Sequence, residues 1–123
     1  MKYMLLTYLD EKAWLAMSPE AQKAAMDECG PHIEKLKGTK KLLAGAPLHP
    51  TTTATTLRNK SGKRVMTDGP FAETREQLGG YTIIDADNLD DAIAIASGFL
   101  GKSDLATIEV RPIVEFPGTP VVP

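Results

Sequence analysis

Seven side chains carry most of the chemistry this sequence can offer: His32, Asp68, Phe71, Glu73, Arg75, Tyr81 and Arg111. Five of them lie in or beside one stretch, Asp68-Gly69-Pro70-Phe71-Ala72-Glu73-Thr74-Arg75-Glu76-Gln77-Leu78-Gly79-Gly80. It combines a turn, an aromatic ring, several charges and a glycine pair, and reads as a long loop. Loops longer than about a dozen residues are uncommon in compact domains and are often functional. His32 and Asp68 are the candidate catalytic pair, because an imidazole and a carboxylate that reach one ligand can move a proton. Glu73 and Arg75 can hold and polarise a polar ligand, and Phe71 and Tyr81 add aromatic surface as ligand-binding candidates. Arg111 has the planar fork that grips a carboxylate through two hydrogen bonds.

Each residue also has a plainer reading. Asp before Gly-Pro commonly accepts N–H bonds inside its own turn. Glu73 and Arg75 can form a solvated ion pair of little energetic weight. His32 lies three residues after Cys29 and four before Leu36, at the border of an apolar stripe, where a histidine bonded to backbone is as good an expectation as a base. Arg111 has Glu109 and Glu115 two and four residues away on its own strand. His49, between Leu48 and Pro50, reads as exposed, and Cys29 reads as a small buried hydrophobe. Neither histidine has a close His or Cys partner at a ligand spacing, so no metal is expected. Gly79-Gly80 lacks the Gly-x-Gly-x-x-Gly context of a dinucleotide site, and no cofactor is expected.

The elements that must position these residues are legible in outline. Residues 2–8 read as a strand that is apolar on both faces, so something covers each side. Ser18-Pro19-Glu20-Ala21 is a helix start, with a capping hydroxyl and proline at the first helical position. Met26, Cys29, Ile33 and Leu36 continue an apolar stripe, broken at Gly30-Pro31. Pro31 predicts either a kink or a second helix that it starts, and Gly38 ends the helical stretch. Residues 42–48 read as a short strand, and the threonines of 51–56 favour extended structure. Residues 55–57 and 65–67 flank a plausible hairpin, and 81–86 form a strand. Asp87-Asn88-Leu89-Asp90 opens a helix carrying Leu89, Ala92, Ile93, Ala96, Phe99 and Leu100. Residues 107–116 alternate as a strand, which Pro112 places at an edge or a bulge.

This order predicts an α+β fold, a ferredoxin-like split βαβ sandwich with an inserted hairpin, helices on one face and an antiparallel sheet. The open sheet face is expected to be covered by a second copy in a homodimer. Residues 1–116 form the domain, and 117–123 are a proline-rich tail.

The chain has 123 residues, of which 42% are apolar and 24% charged, with a formal net charge of −2. That balance argues against general binding to nucleic acid or to anionic membranes. Arg58, Lys60, Lys63 and Arg64 form a basic hairpin tip, too small a patch to reverse that reading. One cysteine permits no intrachain disulfide and fits a reducing compartment. No run approaches the roughly 18 apolar residues of a membrane span, and the apolar start meets Asp10-Glu11-Lys12 too soon for a signal-peptide core. A cytoplasmic protein is the expectation.

The stretch from Asp68 to Tyr81 closely resembles the signature of the DGPF family, a branch of the YCII-related proteins. Met1-Lys2-Tyr3-Met4-Leu5-Leu6, Thr53-Ala54-Thr55-Thr56, Asp85-Ala86-Asp87 and Glu109-Val110-Arg111-Pro112 resemble it as well. The resemblance implies a dimeric α/β-barrel version of the ferredoxin-like fold in a mostly bacterial group. Some relatives are encoded beside, or fused to, extracytoplasmic-function sigma factors. The wider group has been proposed to be enzymatic, with a His–Asp pair in a cleft. Gly30-Pro31-His32-Ile33 resembles the segment that holds the His, but Lys37-Gly38-Thr39-Lys40-Lys41 stands where the acid belongs. Two readings follow. In one, a cleft between the sheet and the Asp68–Gly80 loop takes a small polar or anionic ligand and acts on it. In the other, the domain senses a ligand or docks a protein such as a sigma factor, without catalysis.

Overall fold

The computed structural model describes residues 1–117. Four strands form one antiparallel sheet: β1 (Lys2–Asp10), β2 (Leu42–Pro47), β5 (Glu76–Asp85) and β6 (Ala106–Pro112). Their order across the sheet is β2-β5-β1-β6. With crossover helices after β1 and β5, this is an α+β arrangement compatible with a ferredoxin-like fold. A separate two-stranded ribbon, β3 (Thr55–Lys60) with β4 (Lys63–Asp68), is inserted between β2 and β5.

Helices follow local chemistry. Asp10 accepts a hydrogen bond from the Ala13 N–H at 3.2 Å and starts α1 (Glu11–Ala16), a short helix absent from the sequence reading. Ser18 Oγ accepts from Ala21 N at 3.1 Å and caps α2 (Pro19–Asp27). Pro31 sits in the first turn of α3 (Gly30–Gly38), where its missing N–H costs nothing. Of the two outcomes expected at Pro31, the second helix is the one observed. Asn88 caps α4 (Leu89–Leu100), which Gly101 ends at a φ of 59°.

The core lies on one sheet face. Tyr3 and Leu5 of β1 and Ile84 of β5 pack against Leu36 of α3 and Ala92, Ile95 and Ala96 of α4. Leu5 and Ile84 are almost wholly excluded from solvent. Burying each contributes about 2 kcal/mol. Alternation sends Met4, Leu6 and Tyr8 to the opposite face, where all three are half-buried.

Several expectations need correction. The long loop is shorter than its composition implies: β4 ends at Asp68 and β5 begins at Glu76. Residues 76–80 join the sheet because their backbone pairs with Thr7–Asp10 of β1, across a bulge between Thr7 and Tyr8. Thr51–Thr53 is a 3₁₀ turn rather than extended chain, since the Thr53 hydroxyl donates to the Pro50 carbonyl at 2.7 Å. Local hydroxyl bonds of this kind compete with strand pairing. The hairpin ladder is longer and its turn tighter than expected, with Ser61 and Gly62 both at positive φ, as a two-residue hairpin loop requires. In α4 the buried face carries Ile95, whereas Leu89 and Ile93 are half-exposed. β6 stops at Pro112, so Val114 and Phe116 lie beyond the strand and are exposed. Pro112 does lie on an edge strand. Of the proline-rich tail expected over 117–123, residues 118–123 lie outside the described residues.

Candidate functional site

The sheet face that carries the core thins toward one end. Along β5 the helix-facing residues run Ile84, Thr82, Gly80. Their neighbours on β1 run Tyr3, Leu5, Thr7, and those on β2 run Leu42, Gly45, Pro47. Large side chains give way to threonine, glycine and proline, while the helices continue overhead. The space between is a cavity of about 640 Å³. Its floor includes Thr7, Gly45, Gly80 and Thr82, and its walls include Trp14 of α1, Ile33 of α3 and Phe99 of α4. Cavities of about 300–1,000 Å³ with mostly apolar walls and few polar groups are the usual dimensions of small-molecule sites.

The glycines of this floor answer to backbone packing. A Cβ on Gly80 would stand 3.1 Å from the Ala46 carbonyl oxygen, and one on Gly45 would stand 3.0 Å from that of Tyr81. Adjacent Gly79 would press its Cβ against the Leu9 side chain, at 2.7 Å. Glycine in a strand often marks a close backbone approach, and that is the signal the sequence offered here.

Cys29, Glu28 and Lys37 also line this cavity. Burial first, and then the neighbouring Glu28 carboxylate, push the Cys29 thiol above its ordinary pKa, so it stays protonated at neutral pH. Its Sγ lies 3.6 Å from the Phe99 carbonyl oxygen, a weak donor contact.

A second cavity, of about 720 Å³, opens where the 69–75 loop meets β1 and β5. Tyr8, Phe71, Arg75 and Leu78 line it together with Asp10, Glu76 and Asp104. Arg75 Nε lies 3.4 Å from Asp10 Oδ2, and the Thr107 hydroxyl donates to Glu76 Oε1 at 2.9 Å. The loop is braced from within, since Gln77 Nε2 donates to the carbonyls of Ala72 and Thr74. Three carboxylates against one guanidinium make this a poor receptor for an anion.

The seven sequence candidates are spread over the molecule. His32 lies between α3 and α4, with Nε2 2.8 Å from the Ile95 carbonyl oxygen and its ring edge-on to Phe99 at 4.7 Å between centroids. A carbonyl only accepts, so Nε2 carries the proton and Nδ1 is the nitrogen left to act as a base. Asp68 ends β4, exposed, opposite Thr55 in the ladder. Among the described residues no hydrogen bond joins His32 to Asp68, and neither cavity is lined by either residue. Phe71 and Arg75 come together in the loop cavity; Glu73 lies exposed nearby in the chain. Tyr81 borders the cavity beneath the helices, but alternation sends its ring to the other face, where its register partner is Leu6. Arg111 is exposed on β6 with Nη1 4.0 Å from Glu109 Oε1, a contact within its own strand. Sequence reasoning missed Thr7, Thr82 and Trp14, because a cavity left by small side chains has no motif; the strand glycines were the one signal, and it went unread.

The whole described chain matches a known family model. Residues 1–117 fit the model of the YCII-related domain. The chain belongs to the YCII-related family. It is 39% identical over 114 residues to an uncharacterized protein of Rhizobium meliloti (strain 1021), with 92% of each chain covered.

Proposed function

We propose that this chain is a small-molecule-binding YCII-related domain of the DGPF branch, and that its ligand occupies the cavity between the sheet and the helices. The observation that carries the reading is the taper of the floor, Ile84-Thr82-Gly80 beside Leu5-Thr7, beneath walls of Trp14, Ile33 and Phe99. The fitting ligand has a flat apolar body and one or two polar atoms within reach of the Thr7 and Thr82 hydroxyls. Binding without turnover is favoured by the titratable groups at hand. The thiol is held protonated, His32 gives its Nε2 hydrogen to Ile95, and among the described residues no hydrogen bond joins Asp68 to either. A sensing domain needs a ligand site and no general base, which suits the regulatory reading implied by the family resemblance.

The test uses 1-anilinonaphthalene-8-sulfonate, whose fluorescence rises in apolar sites. The full chain should bind it saturably with a stoichiometry of one. Thr82→Leu, which fills the floor, should weaken binding at least about tenfold, which equals ~1.4 kcal/mol. Phe71→Ala in the loop cavity should leave binding unchanged. Equal binding by the wild type and Thr82→Leu contradicts the proposal.

A further inference from the structure

Two charged side chains line the cavity beneath the helices, Glu28 and Lys37. They stand at opposite ends of α3 and differ in what surrounds them. Lys37, in the last turn of α3, has Glu34 Oε1 3.5 Å from its Nζ. Asp27, next to Glu28 in the chain, pairs with Lys23 at 3.0 Å. Glu28 itself is exposed and makes no ion pair or side-chain hydrogen bond among the described residues. Lys102, just past α4, does not line the cavity and makes no ion pair with Glu28.

The surroundings of Glu28 add to its negative potential. Glu28 follows α2 and precedes α3. The C-terminal end of one helix meets the N-terminal end of the next there, and the two dipoles largely cancel. The C-terminal end of α4 is left over. α4 has no basic residue in its last turn, and its Phe99 and Leu100 line the cavity. Glu28 reaches this end, since its Oε2 would lie 4.0 Å from a Cβ on Gly101. A carboxylate beside a helix C-terminus is disfavoured, and a cation placed there is favoured. Among the described residues the Phe99 carbonyl has only the weak Cys29 thiol as a side-chain donor, at 3.6 Å. The charge is felt within the wall as well, because after burial it is Glu28 that pushes the Cys29 thiol up. This end of the cavity offers acceptors and negative charge, in a space walled by Trp14 and Phe99.

We infer that the ligand of this cavity is an aromatic amine, bound as its ammonium. Its nitrogen lies at Glu28 and the end of α4, and its flat body lies against Trp14, Ile33 and Phe99. The inference rests on the cavity reading given under the proposed function and adds the ligand's charge. An ammonium only donates hydrogen bonds, so it suits an end that only accepts them. Aromatic walls favour a cation further through their ring faces. Lys37, already beside Glu34, opposes a second cation at the other end and so fixes which way round the amine enters.

The test is calorimetric titration of the full chain with two probes of matched shape, 2-(1-naphthyl)ethylammonium and 3-(1-naphthyl)propanoate. The ammonium should bind more tightly, on the order of fivefold. Glu28→Gln should remove that preference, with circular dichroism unchanged. The same variant should tighten binding of the anion 1-anilinonaphthalene-8-sulfonate, an effect that structural damage would not produce. Lys37→Met should leave the ammonium preferred, and Thr82→Leu should weaken both probes. Equal binding of the two probes by the wild type, or a preference that survives Glu28→Gln, overturns the inference. If Thr82→Leu still weakens both probes in that case, the cavity reading stands and only the ligand's charge is wrong. A preference for the propanoate that is lost in Lys37→Met overturns the inference and assigns charge selection to Lys37. No binding of either probe, or binding untouched by Thr82→Leu, overturns the cavity reading and the inference together.

Discussion

His32 shows how one residue's chemistry is decided by its neighbour. Its ring fills the space above Gly98, where an added Cβ would collide with ring atoms Cε1, Nε2 and Nδ1. The pair sets the approach of α3 to α4. Gly98→Ala should therefore cost about 1–3 kcal/mol by overpacking, despite alanine's better helix propensity. Adding His32→Ala to it should recover part of that loss, read as a positive coupling in a denaturation cycle. Simple additivity would contradict the packing account. The apolar border of His32 was legible in Cys29-x-x-His32-x-x-x-Leu36, whereas Gly98 gave no sign of a role, because the contact joins residues far apart in the chain. Cys29, read as a small buried hydrophobe, is only partly buried, and that burial raises its thiol above the ordinary value. Iodoacetamide should modify it slowly at neutral pH in the native protein and at the free-thiol rate after unfolding. Equal rates in both states would contradict a protonated, partly shielded thiol.

At the scale of elements, caps and turns were the most legible features. Ser18, Pro31 and Asn88 each act locally, so the local sequence specifies them. The Asp68–Gly80 stretch was not, because its second half becomes strand only by pairing with β1. Charged residues and two glycines argue for loop, and tertiary pairing overrides them. A second contact ties the residue just before β2 to α4. Lys41 Nζ lies 2.8 Å from Asp91 Oδ2, and Asp91 also accepts from the Asp87 N–H at 2.9 Å. The hydrogen bond from Lys41 holds the Asp91 carboxyl below its ordinary range, and the bond to Asp91 raises Lys41 above its own. Asp91 therefore stabilises the fold above the carboxylate range and loses that effect as pH falls through its lowered value. Lys41 contributes below the lysine range and loses its effect as pH rises through its raised value. Lys41→Met should be less stable than the wild type by a margin that is flat from about pH 5 to 9. The margin should shrink in stronger acid and in stronger base. A margin that changes within the flat window would show that another group is responsible.

For the molecule as a whole, the order of elements predicted the sheet and the helix layer, because strand–helix–strand repeats leave few chiral and antiparallel solutions. The cavity was not predicted. It depends on which strand residues share a face, and a register slip of one residue would reverse that assignment. Thr82 and Gly80 face the helices only because Leu5 and Thr7 are their partners on β1. The account stands or falls on where a ligand goes when two cavities of similar size are on offer. The direct measurement is a ¹H–¹⁵N correlation spectrum of the full chain titrated with 1-anilinonaphthalene-8-sulfonate. The account predicts the largest shifts at Thr7, Gly45, Gly80, Thr82 and Phe99, and their loss in Thr82→Leu. Shifts centred instead on Phe71, Arg75 and Gln77 would place the ligand in the loop cavity and contradict it.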